Sequence, residues 1–138
     1  MNTKIQGFGM IAKWLFGAVL AVASSVALAG NWVFVGNAGT QDFYVDTTSV
    51  LRDGNNARIW ADSTYNNATV LHGDTKATAY ILAHFSFDCA MRVGHLIALT
   101  TYDMDRHVIH ATTFDEGHTV DFAPDTIGDA IMRRACYR

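Results

Sequence analysis

The chain has 138 residues, half of them hydrophobic and 12% aromatic, with 10 Lys and Arg against 13 Asp and Glu and a formal charge of −3. That length is one domain, the aromatic content excludes a disordered chain, and the acidic balance argues against a nucleic-acid binder, which would be basic. A polytopic membrane protein would need several apolar stretches of about 20 residues, and only one region comes near that.

That region is the N-terminus. Lys4 and Lys13 precede an apolar run over residues 14–29, which closes on Ala27-Leu28-Ala29. A basic start, an apolar run and a small-x-small end describe a secretory signal peptide. The run is 16 residues long, short of the ~20 that a spanning helix needs. Residues 1–29 are therefore expected to be removed after Ala29, leaving residues 30–138 as an exported domain with no membrane segment. Loss of Lys4 and Lys13 takes the formal charge from −3 to −5. The expected location is periplasmic or secreted. No cysteine stands near the cleavage site, so lipid attachment there is excluded.

The exported part reads mainly as strands. Residues 31–35 are rich in β-formers, and Gly36-Asn37-Ala38-Gly39 breaks them. Residues 43–46 form a second short strand, and Asp53-Gly54-Asn55-Asn56 is a strong turn signal. Residues 57–65 alternate: Ala57, Ile59, Ala61, Ser63 and Tyr65 face one way, while Arg58, Trp60 and Asp62 face the other. Asn66-Asn67 and His72-Gly73-Asp74 bound a loop, and Asn67-Ala68-Thr69 matches a glycosylation acceptor that reads here as loop chemistry. Residues 76–89 are a long extended run. Residues 96–102 and 108–114 flank Asp103-Met104-Asp105-Arg106 as a hairpin with a four-residue loop. Glu116-Gly117-His118 opens the next connection, and residues 119–122 are extended again.

After Pro124 the period changes. Thr126 stands as an N-cap, with Asp129 three residues later. Ile127, Ala130, Ile131 and Ala135 then share one helical face. Asp125 and Asp129 sit at the positive end of the helix dipole, and Arg133, Arg134 and Arg138 at the negative end. The two cysteines, Cys89 and Cys136, both lie in the exported part, where disulfides persist, and two cysteines allow a single internal pairing. A Cys89–Cys136 bond would clamp the helix to the long strand. The expected fold is α+β: an antiparallel sheet of about six strands with one C-terminal α-helix packed on it.

Motifs for chemistry are sparse. The sequence holds no G-x-S-x-G elbow, no S-x-x-K, no Walker loop and no G-x-G-x-x-G, so neither an enzyme nor a cofactor is indicated. A hydrolase without a signature is the remaining enzymatic alternative, because Glu116 and many Asp are available. Six histidines (His72, His84, His95, His107, His110 and His118) raise a second alternative, a haem- or metal-binding protein. His107 and His110 are spaced for one face of a helix. On the expected strand they point to opposite faces, which leaves them weak metal candidates together with Asp103 and Asp105 in the adjoining turn. Trp32, Phe34, Tyr44, Trp60, Phe85 and Phe87 exceed what one sheet face must hide, so some are candidates for an interface.

An ordered set of residues adds a resemblance. Trp32 stands near the mature start, followed by Phe43-Tyr44-Val45-Asp46, then Asp53-Gly54-Asn55 leading to Arg58-Ile59-Trp60. Phe87-Asp88-Cys89, the Tyr102 hairpin and Pro124-Asp125-Thr126-Ile127 before a helix ending at Cys136 complete it. The set resembles the bacterial surface-adhesin protein E-like family. The resemblance implies a six-stranded antiparallel sheet with a helix tied by one disulfide. It also implies a non-enzymatic surface protein that binds host matrix and plasma proteins, is associated with haem, and homodimerises. This sequence lacks a lipobox cysteine and a basic host-protein-binding stretch, and Asp125 stands where the family often has Gly. The expected function is an exported non-enzymatic binding domain acting through contacts with a protein partner, with strand addition at a sheet edge as one mode.

Overall fold

A computed structural model describes residues 30–120 and 122–137, so the expected signal peptide lies outside the described residues. Six strands follow in order: β1 (Trp32–Ala38), β2 (Gln41–Asp53), β3 (Asn56–Val70), β4 (Ala77–Asp88), β5 (Val93–Tyr102) and β6 (Val108–Val120). They pair antiparallel, each with its sequence neighbour, as one sheet in the order β1-β2-β3-β4-β5-β6. Short connections make this the simplest topology for such a chain. The helix α1 (Ile127–Cys136) then packs back across β1 to β4. Among the described residues no helix is long and apolar enough to cross a membrane.

Several strands run further than the sequence pattern suggests, and most overruns contain a register shift. β1 continues through Gly36-Asn37-Ala38, expected as a break, with a shift between Phe34 and Gly36, and β5 begins at Val93 rather than Leu96. β2 continues past Asp46 to Asp53, with a bulge between Asp46 and Leu51. There Ser49 substitutes for a ladder partner: its hydroxyl donates to the Asp46 carbonyl at 2.7 Å and accepts the Trp60 N–H at 3.0 Å. β3 runs through Asn66-Asn67, expected as loop, with a shift between Thr64 and Thr69. β6 runs through Glu116-Gly117-His118, expected as a connection, where the register with β5 shifts between Leu96 and Ala98. Bulges leave residues unpaired and break the period of two on which strand reading rests.

The core lies between α1 and one face of the sheet. Val45, Ala57, Ile59, Ala61 and Phe87 meet Ile131, Met132 and Ala135, all buried. Burying Ile131 and Met132 contributes about 1.5–3 kcal/mol each, which a ten-residue helix needs because it is marginal alone. Thr126 caps the helix by accepting the Asp129 N–H at 3.3 Å. The Arg52 guanidinium satisfies the other end, donating to the carbonyls of Ala135 at 2.7 Å and Tyr137 at 3.3 Å. Cys89 and Cys136 form a disulfide that ties the last helical turn to the end of β4. Buried Asp129 accepts from Arg92 at 2.6 Å and Arg133 at 2.5 Å, so both charges meet partners. Phe122 inserts between the backbones of Gly94 and Gly128 and lies against Phe87 at 5.2 Å between ring centroids.

Candidate functional site

With α1 on one face, alternation decides what the other face carries. Val33, Val35, Val45, Ile59 and Phe87 point to the helix, so their neighbours point away. Register sets these neighbours in rows across the sheet: Trp32, Asp46, Trp60 and His84 in one, then Phe34, Tyr44, Asp62 and Leu82, then Thr64, Tyr80 and Tyr102. No described element lies over them. Trp32 is 42% exposed and Phe34 51%. The surplus of aromatic residues therefore divides: Phe85 and Phe87 join the core side, while Trp32, Phe34, Tyr44 and Trp60 form an outward face.

Specific contacts hold this face. Phe34 and Tyr44 meet edge to face at 5.5 Å. Trp60 and His84 stack at 4.3 Å with planes 7° apart. The Arg106 guanidinium lies 3.8 Å from the Tyr80 ring centroid, a cation–π contact. Burial, and after it the charge of Arg58, lowers the pKa of His84, which favours the neutral ring on the indole. Between Tyr44 and Leu82 sits Asp62. Burial raises the pKa of its carboxyl, opposed by the Thr64 hydroxyl and the Arg106 charge. Thr64 donates to it at 3.1 Å. A hollow of about 390 Å³ opens here, lined by Trp32, Tyr44, Asp62, Leu82, Tyr102 and Arg106.

The candidate metal residues take a different arrangement from the one expected. His107 precedes β6 rather than lying on it, and joins Asp103 and Asp105 with ligand atoms within 4.8 Å of one another. Turn geometry accounts for that grouping. The Asp103 carboxylate accepts the backbone N–H of His107 at 2.9 Å and of Asp105 at 3.0 Å, and these bonds lower its pKa. His110 is drawn away to the Asp74 carboxylate at 2.5 Å. The histidines do not share a centre: His84 stacks on Trp60, His95 meets the Thr119 hydroxyl, and His118 neighbours Phe114. Sequence reasoning missed Tyr80, Tyr102 and Arg106 as members of the outer face. The alternation along β4 groups Tyr80 with Leu82 and His84 but does not say which face of the sheet they take.

A family model described as surface-adhesin protein E matches residues 32–137. The chain belongs to the surface-adhesin protein E family. The match spans the whole sheet and the helix. Solved structures of Haemophilus influenzae protein E share this fold. Crystal form II superposes with a TM-score of 0.56 at 14% identity, covering 76% of this chain and 86% of that one. Protein E from a non-typeable strain gives 0.51 at 15% identity, covering 79% and 78%. No curated protein sequence matches the chain. At such identity the likeness to protein E carries the architecture, while individual surface residues must be argued from this chain.

Proposed function

We propose that this member of the family is an exported, non-enzymatic binding domain that meets a protein partner on the outer face of its sheet. One observation carries the reading: Trp32, Phe34, Tyr44, Trp60, Tyr80 and Tyr102 stand on the face that α1 leaves bare. Contiguous exposed aromatic surface marks interaction sites, and Trp and Tyr are the residues that most often dominate interface energetics. Family membership supports a binding role, and the disulfide suits an oxidising location outside the cytoplasm.

In this reading residues 1–29 direct export and are removed. Mass spectrometry of the exported protein tests that step, with Gly30 expected as the new first residue. Binding is tested by interferometry against a panel of immobilised matrix and plasma proteins, comparing the exported wild type with Phe34→Ser and Trp60→Ser. Both variants lie on the bare face, so circular dichroism should be unchanged while binding falls at least tenfold. Binding to no member of the panel, or equal binding by wild type and variants, overturns the reading.

A further inference from the structure

We propose that the hollow over Asp62 seats an arginine side chain presented by a protein partner, with its guanidinium between the aromatic walls and the Asp62 carboxylate. The inference rests on the outer face being the docking surface, and it names the chemistry of what docks there.

The hollow joins apolar walls to a charged floor, and neither feature alone selects a ligand. Its walls are Trp32, Tyr44 and Tyr102, with Leu82 beside them, and its volume is about 390 Å³. Such walls alone would take any apolar group. Its floor is a half-buried carboxylate whose one donor among the described residues is the Thr64 hydroxyl. A carboxylate held this far from water costs stability unless it meets donors or a positive charge. The fold partners its other withdrawn carboxylates: Asp129 takes two arginines and Asp74 meets His110. Asp62 has none within ion-pair distance among the described residues, although Arg106 lines the same hollow.

Guanidinium fits both features at once. It is flat, weakly hydrated and stacks on aromatic faces, and its forked N–H groups match a carboxylate. The face already holds one such group, because Arg106 lies over the Tyr80 ring at 3.8 Å. That contact holds Arg106 on Tyr80, where its charge reaches Asp62 without an ion pair between them. An exported part with a formal charge of −5 also favours the approach of a basic partner segment.

The test is a titration of the full exported chain, labelled with ¹⁵N, using n-butylguanidinium, n-butylammonium and neutral n-pentanol as probes. Expected are saturable shifts at the Trp32 indole N–H and at the amides of Tyr44, Asp62 and Tyr102 with n-butylguanidinium. Binding should weaken severalfold for the ammonium, because it cannot stack as a plane, and at least tenfold for the alcohol. Asp62→Asn keeps the side-chain shape and should cut n-butylguanidinium binding at least tenfold without moving distant resonances. Unchanged binding in Asp62→Asn, shifts centred elsewhere, or equal affinity for the alcohol overturns the inference. The docking reading fails separately. If Phe34→Ser and Trp60→Ser keep full partner binding while Asp62→Asn loses the probe, the hollow stands and the face does not. If those variants lose the partner while Asp62→Asn keeps the probe, the face stands and this inference falls.

Discussion

Gly128→Ala sets local propensity against packing, and the two predict opposite signs. Gly128 lies in the first turn of α1, where alanine in place of glycine would favour the helix by up to about 1 kcal/mol. A methyl group there, however, would lie 2.0 Å from Cδ1 and 2.6 Å from Cε1 of Phe122. The ring has no retreat, because a Cβ position on Gly94 is 2.0 Å from the ring's opposite edge. Phe122 is therefore clamped between two backbones and must leave its seat. Leaving it forfeits the contacts with Phe87 at 5.2 Å and Phe85 at 6.1 Å, each worth roughly 0.5–1.5 kcal/mol, along with about 1.5–3 kcal/mol of burial. With that burial halved for a half-buried ring and the propensity gain subtracted, Gly128→Ala destabilises by about 1–3 kcal/mol. Urea unfolding followed by tryptophan fluorescence reads this as a lower midpoint at constant slope. A second variant isolates the cause: in a Phe122→Ala background the same Gly128→Ala change should become neutral or stabilising, a coupling that a double-mutant cycle measures. A Gly128→Ala protein as stable as wild type, with Phe122 in place, would refute the clamp.

Replacing Cys89 and Cys136 by alanine opens a loop of 47 residues, which in the chain-entropy estimate costs about 4 kcal/mol; a loss under about 1 kcal/mol in urea unfolding would show that packing alone holds α1. Asp129→Ala strands two guanidinium groups that are each about half exposed, so both regain water, and the expected cost is about 2–3 kcal/mol of lost charged hydrogen bonds. An unchanged melting temperature would contradict that. Asp62→Asn should stabilise the fold at neutral pH. Its folded pKa is raised above 3.8 by burial, so the folded state binds the proton more tightly and the native carboxylate loses stability as pH rises through that window. The advantage of Asp62→Asn should thus be present at pH 7 and vanish below about pH 4; a constant difference across that range would refute it.

The parts of the fold that were legible in the sequence are those whose signals are local. Thr126 and Asp129 cap the helix within four residues, and Ala57 to Ser63 alternate without interruption. Most of the strand ends failed for one physical reason. Asp46–Leu51, Thr64–Thr69 and the stretch of β6 facing Leu96–Ala98 are bulges, and a bulge looks like a turn to any reading based on period. Asn66-Asn67 and Gly117 strengthened that misreading, because Asn and Gly are depleted in regular strands. The aromatic excess was visible as a surplus but not as a place. Along β4, Tyr80, Leu82 and His84 on one side and Ile81, Ala83 and Phe85 on the other are both apolar enough to be core. Only the docking of α1 decides between them, and that is a tertiary fact.

Asp62 and Asp129 then differ in a way that separates fold from function. Both are carboxylates withdrawn from water, Asp129 under the helix and Asp62 among the rings of the opposite face. Asp129 sits where two arginines and the helix start use its charge, so its burial serves the fold. Asp62 sits where an asparagine would make the same contact with Thr64 at lower cost, among rings that nothing in the described residues covers. A charge that the fold does not use is a burden unless something outside the chain uses it. The difference between these two aspartates therefore makes a stabilised Asp62→Asn protein with weakened ligand binding the decisive combination, since a purely structural carboxylate would lose both together.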